Sequence, residues 1–163
     1  NLIVFDPTWF GRPRDQLPDL LRAQAWAKPD PKLGAATDAY LEYLERGGEL
    51  VMEDLTASLL RRWLEREVPL LTGLSATFLY QCARESGTTE LHSDDLRGEP
   101  TGHFVVLCGW DPEERKVRIA DPLEDRPRFQ EHLYWLPVER VINAILLGVL
   151  TYDANLVVLR PGT

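Results

Sequence analysis

The clearest hydrophobic pattern in the chain lies in its second half. An apolar run of β-branched and aromatic residues over 103–110 predicts a largely buried strand. Residues 111–115 supply turn chemistry, and apolar and polar positions then alternate over 116–121 as in a second strand. Pro122 ends that strand because proline cannot donate to a ladder. The pattern therefore predicts a β-hairpin over these residues.

The remaining apolar positions predict helices first and strands later. Helical spacing favours four helices, of which the last begins after Pro137 and ends at Gly148. The predicted helices cover the apolar positions within residues 17–26, 36–44, 59–64 and 138–145, and the further strands lie at 2–5, 68–80, 132–136 and 156–159. A helical N-terminal layer packed on a mostly antiparallel sheet indicates an α+β fold, and 163 residues suit one domain, 1–163.

The register of the hairpin brings two polar side chains together. With residues 111–115 as the loop, Asp121 lies opposite residue 105, so His103 is its diagonal neighbour on the same face. At that separation an imidazole can donate a hydrogen bond to a carboxylate, which is how an acid orients a general-base histidine. The alternative is a surface histidine at a strand start and an Asp-Pro strand terminator.

Composition excludes several classes of function. The net charge of −8 and the pI near 4.9 argue against binding nucleic acid or an anionic membrane. No apolar run is long enough for a membrane span, and no phosphate loop or dinucleotide fingerprint predicts a cofactor. Two unpatterned cysteines suit a reducing compartment, so the predicted location is cytoplasmic. The oligomeric state is left open.

A long polar segment precedes the hairpin. Residues 84–101 are rich in turn formers, and a loop of that length predicts a flap over a cleft. His92, Asp94 and Asp95 lie within it and could be imagined as metal ligands. Without a second ligand cluster they are interpreted as surface polar residues, and no metal site is predicted.

The segment Gly-His-Phe-Val-Val-Leu-Cys-Gly-Trp-Asp, followed by Lys-Val-Arg-Ile-Ala-Asp-Pro, resembles two motifs of a known family. These are the His and Asp motifs of the papain-like, bacteriocin-processing (double-glycine) cysteine peptidases. The segment Leu-Thr-Ala-Ser-Leu-Leu-Arg-Arg-Trp-Leu-Glu-Arg-Glu-Val-Pro-Leu-Leu-Thr-Gly-Leu-Ser is similar to the family's preceding helix and strand. The resemblance covers residues 50–163. It implies a papain-like fold in a bacterial protein, with His103 as the catalytic base and Asp121 as its orienter.

The family's nucleophile is missing from this sequence. A Gln followed by a Cys that opens a helix near the N-terminus does not occur here. Cys108 is predicted on the face opposite His103, as a buried and inert thiol, and Cys82 has no helix-opening signal that would lower its pKa. Three explanations stay open: an upstream segment that carries the Cys, a degenerate member that binds peptides without cutting them, or a likeness of fold alone.

Two functional hypotheses follow. The first is a cysteine peptidase (a hydrolase) in which His103 deprotonates a Cys outside this chain, with the oxyanion-stabilising Gln from the same segment. The second is an inactive, peptidase-like module that grips an extended peptide or protein partner. The sequence also predicts that Asp121→Asn misorients the His103 ring with little loss of stability, because the pair is expected to be partly exposed.

Overall fold

The chain folds into two compact units, residues Asn1–Asp54 and Leu55–Thr163. They are seen in a computed structural model, which describes residues 2–4, 9, 12–87, 92–124, 128–148 and 155–160. No helix formed by the described residues is both long enough and apolar enough to cross a membrane.

The described part of the first unit holds two helices and a parallel strand pair. A 3₁₀ turn (Arg14–Gln16) leads into α1 (Leu17–Ala27), and α2 (Pro31–Glu45) follows. Helix α2 begins where it does because the Asp30 carboxylate accepts hydrogen bonds from two first-turn backbone N–H groups at 2.8 and 3.0 Å. Strand β1 (Leu2–Val4) pairs in parallel with β2 (Leu50–Met52).

The second unit is built on an antiparallel sheet. Its elements are α3 (Ala57–Leu64), β3 (Leu70–Ser75), α4 (Ala76–Tyr80), β4 (Glu85–Ser86), β5 (His92–Ser93), β6 (Gly102–Asp111), β7 (Lys116–Ala120), β8 (Leu133–Pro137), α5 (Val138–Leu147) and β9 (Asn155–Val158). Five strands form the sheet in the order β9-β3-β6-β7-β8, and every neighbouring pair is antiparallel. The predicted α+β class is confirmed.

One face of this sheet forms the core of the second unit. Alternate positions of β6, β7 and β8 are buried, and helix α5 packs on β3. The fully or nearly fully buried apolar residues include Leu70, Leu74, Val105, Leu107, Val117, Ile119, Leu136, Val138, Val141, Ala144 and Ile145. Helix α5 starts after Pro137 and ends at Gly148, as predicted, and a Cβ at Gly148 would lie 3.2 Å from the Leu74 backbone.

The predicted strand over residues 68–80 is wrong in its second half. The strand ends at Ser75, whose hydroxyl accepts a hydrogen bond from the backbone N–H of Phe78 at 3.3 Å and caps α4. A short apolar run cannot distinguish a buried strand from a buried helical turn. Strand β3 pairs with β6, and Leu74 lies opposite His103.

The polar segment predicted as a loop contains regular structure. Strands β4 and β5 pair as a small antiparallel ladder, and Glu85 also bridges to Glu99. Asp94 accepts hydrogen bonds from the backbone N–H groups of Leu96 and Arg97 at 2.9 and 3.0 Å, which closes a turn within the segment. Residues 88–91 of the predicted flap lie outside the described residues.

Candidate functional site

The site forms where the sheet turns from β7 towards β8. His103 is the second residue of β6, and Asp121 directly follows the last residue of β7. The His103 Nε2 and Asp121 Oδ1 atoms are 2.8 Å apart, a short distance typical of a charge-assisted hydrogen bond. The contact that the hairpin pattern predicts is therefore present.

The strand register that makes this contact differs from the predicted one in two compensating ways. Asp111 pairs with Lys116, so the loop has four residues and not five. A bulge then places the extra residue Cys108 in β6 between Leu107 and Gly109. Beyond the bulge Val106 pairs with Ala120, and extension of that register puts Asp121 opposite Val105, with His103 diagonal to it.

Asp121 is a buried carboxylate that accepts hydrogen bonds from at least four donors among the described residues. Its side chain is 0% exposed, whereas that of His103 is 17% exposed. Oδ1 accepts from His103 and from the backbone N–H of Leu123 at 3.0 Å. Oδ2 accepts from the hydroxyls of Tyr80 at 2.7 Å and Tyr134 at 2.6 Å. The expectation of a partly exposed pair is thus wrong for Asp121, since β8 and α4 enclose it.

These donors determine the charge of Asp121. Burial by itself would raise the pKa of the carboxyl group, but the hydrogen bonds from Tyr134, His103, Tyr80 and the Leu123 backbone outweigh it and lower the pKa below its usual value. Asp121 is therefore ionised at neutral pH, and an ionised carboxylate can only accept hydrogen bonds.

The tautomer of His103 follows from that charge. Because Asp121 cannot donate, Nε2 of His103 carries the proton that joins the two side chains. In the neutral ring Nδ1 is then the basic nitrogen. No described residue donates to or accepts from Nδ1 of His103. The arrangement is an oriented, partly exposed imidazole that can take a proton through Nδ1.

Aromatic rings and backbone bonds enclose the carboxylate from the side of β8. Phe129 stacks on Tyr134 with ring centroids 3.9 Å apart and planes inclined by 7°. The ring centroids of Phe129 and Tyr80 are 6.2 Å apart. His132 is exposed, yet its Nδ1 lies 2.8 Å from the carbonyl oxygen of Asp121. Its own carbonyl accepts from the Asp121 backbone N–H at 2.9 Å. Both the backbone N–H and the carbonyl oxygen of Asp121 are therefore hydrogen-bonded to His132, which fixes the backbone where the loop after β7 begins.

Three of these neighbours, Tyr80, Tyr134 and His132, were not predicted to contact Asp121. Tyr134 could have been found from the strand register. Tyr134 in β8 lies opposite Ile119 in β7, so it is the diagonal neighbour of Asp121, by the same rule that places His103 near Asp121. Tyr80 could not, since the strand predicted over 68–80 hides the helical turn that directs its hydroxyl.

Neither cysteine of the chain shows the features of a nucleophile. Partial burial raises the pKa of the Cys82 thiol, and the nearby carboxylates of Glu85 and Asp95 raise it further. Cys108 is exposed, so its predicted burial is wrong: it follows the buried Leu107 in β6 and therefore lies on the opposite, exposed face. Desolvation still raises the Cys108 pKa, against the charge of Arg118. Both thiols are therefore protonated at neutral pH.

His92, Asp94 and Asp95, the possible metal ligands of the polar segment, do not belong to a metal-binding cluster of described residues. Asp94 closes the turn described above, and Asp95 accepts from the backbone N–H of Arg84 at 3.3 Å. Within the ranges that the structure describes, no group of three or more His, Cys, Asp or Glu side chains could hold a metal ion.

Comparison with known proteins adds no relative. No protein-family model matches the chain, and neither a curated protein nor a solved structure matches it.

Proposed function

We propose that this chain carries the base and its orienter for a cysteine peptidase-like reaction on a peptide or protein substrate. His103 Nδ1 accepts the proton of a thiol, and Asp121 holds the ring through Nε2. The thiolate attacks a peptide carbonyl, the imidazolium protonates the leaving amine, and water then hydrolyses the thioester. The nucleophilic Cys and the oxyanion-stabilising Gln belong to polypeptide outside these 163 residues. The fold assigned with this proposal is papain-like.

The proposal is carried by one observation, the His103–Asp121 contact with Nδ1 of His103 unoccupied among the described residues. Polar side-chain atoms that are buried for structural reasons normally have a hydrogen-bond partner. Here one nitrogen is held by a buried anion, and the ring remains 17% exposed. That combination supports a group that exchanges protons with something outside the described residues.

The absence of a low-pKa thiol in the chain favours a second candidate. In that alternative the domain is an inactive, peptidase-like module that binds a peptide or protein partner without cleaving it. The raised pKa values of Cys82 and Cys108 are its support.

Alkylation of the full-length gene product distinguishes the two candidates. Iodoacetamide reacts with thiolates, so the rate at each cysteine as a function of pH reports its pKa. We expect a third cysteine to react well below pH 8, and His103→Ala to slow that cysteine about tenfold or more, a loss within the range for general-base assistance. Peptide mapping by mass spectrometry assigns each rate to its residue.

His92→Ala is the matched control, because His92 is an exposed histidine of a different strand, β5. It should leave all rates unchanged. If only Cys82 and Cys108 are alkylated, with rates that keep rising above pH 9 and do not respond to His103→Ala, the peptidase proposal is contradicted and the binding module is favoured.

A further inference from the structure

The two tyrosine hydroxyls both donate to one oxygen of the Asp121 carboxylate. A carboxylate offers about four acceptor positions. His103 and the Leu123 backbone N–H occupy those of Oδ1, and Tyr80 and Tyr134 occupy those of Oδ2. The Tyr80 hydroxyl comes from α4, which precedes Asp121 in the chain, and the Tyr134 hydroxyl comes from β8, which follows it. These donors are sufficient to explain how the carboxylate can be buried.

Without these hydroxyls the carboxylate would be in an unfavourable environment. A buried carboxylate oxygen that lacks donors favours the protonated acid, because desolvation penalises the charged form. A protonated Asp121 could donate a hydrogen bond, and the tautomer of His103 would then no longer be determined. A carboxylate with one unoccupied oxygen could also rotate about its Cβ–Cγ bond and move Oδ1 away from the ring.

We propose that Tyr80 and Tyr134 are positioning residues that keep Asp121 ionised and fix its orientation toward His103. This inference deepens the proposed function and rests on it: the tyrosines act on the reaction only through Asp121 and His103. Neither is a catalytic residue, since neither hydroxyl is available to a substrate while it donates to the buried Oδ2.

The stacking of Phe129 on Tyr134 assists in this role. The parallel rings at 3.9 Å limit the positions that the Tyr134 ring can take, so its hydroxyl is held towards the carboxylate. A Tyr→Phe change keeps the ring and its stacking and removes only the hydroxyl. It is therefore the change that tests the hydrogen bond without opening a cavity.

The test is an NMR titration of the Asp121 side-chain carboxyl carbon in the 163-residue chain and its variants. Wild type should titrate below the ordinary aspartate value of 3.8. Tyr134→Phe should raise the pKa of Asp121, and Tyr80→Phe should raise it less, because the Tyr134 hydrogen bond lowers it more. The double variant should raise it most. A general loss of packing would not produce this order.

Tyr43→Phe is the matched control, since Tyr43 lies in α2 and its hydroxyl makes no hydrogen bond among the described residues. It should not change the Asp121 titration. Each single variant retains one of the two hydroxyls, and circular dichroism establishes that it is folded before titration. An Asp121 pKa equal to that of wild type in both folded single variants would overturn the inference.

This titration needs no nucleophile and no substrate. It therefore decides the role of the tyrosines separately from the alkylation experiment. If the gene product shows no thiol coupled to His103 while the Asp121 pKa shifts as stated, the peptidase proposal fails alone. If the thiol is coupled and the Asp121 pKa does not shift, the tyrosine assignment fails alone.

Discussion

Asp121 is the residue on which the site depends. A side chain with 0% exposure and donors from Tyr80, Tyr134, His103 and the Leu123 backbone is part of the core as well as of the site. Hydrogen bonds to a buried charge contribute more to stability than neutral ones, because each donor would lose its acceptor if the charge were removed.

Asp121→Asn should therefore destabilise the protein, in contrast to the expectation from sequence. The asparagine amide can still accept hydrogen bonds at its oxygen. Its NH₂ group takes the place of the second carboxylate oxygen and cannot accept from the donors that surround that position. We expect a loss of at least about 1–3 kcal/mol in the free energy of unfolding at neutral pH, the usual cost of leaving a buried polar group without its partner. Urea denaturation followed by tryptophan fluorescence measures the loss.

The pH dependence of this loss has a defined sign. The folded pKa of Asp121 is lowered, so its contribution to stability is present above the unfolded value, 3.8, and disappears as the pH falls through the folded pKa. The difference between wild type and Asp121→Asn should thus be constant above about pH 5 and shrink below about pH 4.

Asp111→Asn provides the comparison. Asp111 accepts from the backbone N–H groups of Glu113 and Glu114 in the β6–β7 loop at 2.9 and 3.0 Å, a geometry that asparagine reproduces. It should change stability by less than about 0.5 kcal/mol, as surface substitutions usually do. Equal effects of the two substitutions at neutral pH, or a loss that does not begin to shrink as the pH falls below about 4, would contradict the account of Asp121.

At the scale of elements, the bulge in β6 is what aligns the pair. The loop is one residue shorter than the pattern suggests, and the extra residue Cys108 restores the register that brings His103 diagonal to Asp121. The sequence predicts the result correctly but not the means. Gly109, an isolated glycine inside the apolar run, is the one local signal for a bulge, but the position of the register shift depends on cross-strand contacts.

Gly109→Ala tests the packing of that bulge. A Cβ at Gly109 would lie 3.0 Å from the Cβ of Arg118 and 3.3 Å from the Trp135 ring, so β6 must move away from β7 to accept it. Overpacking of this kind costs about 1–3 kcal/mol, and we expect a loss of that size in the free energy of unfolding. The His103 ring signals in NMR should shift as well, because the strand that carries the ring is displaced.

Gly34→Ala is the matched control, since nothing lies within 4 Å of a Cβ at that position of α2. Alanine there should stabilise the protein by up to about 1 kcal/mol, the difference in helix propensity. If Gly109→Ala is also neutral or stabilising, the bulge does not constrain the contact between β6 and β7.

At the scale of the whole molecule, local signals and long-range pairing differ in what they reveal. Apart from α4, β4 and β5, the order of helices and strands in the second unit follows from apolar spacing, and Pro137 and Gly148 mark α5 correctly. The order of the five strands and the approach of Tyr80 to Asp121 depend on contacts distant in sequence. No local pattern contains them, so the sequence predicts half of the site, His103 and Asp121, and omits the tyrosines.

The tautomer of His103 is the central claim, and long-range ¹H–¹⁵N NMR of its ring tests it most directly. With the ring neutral, the account predicts a proton on Nε2, slow to exchange because it is hydrogen-bonded to Asp121, and a bare Nδ1. A proton on Nδ1 of His103, or a rapidly exchanging mixture of its two tautomers, would contradict the account.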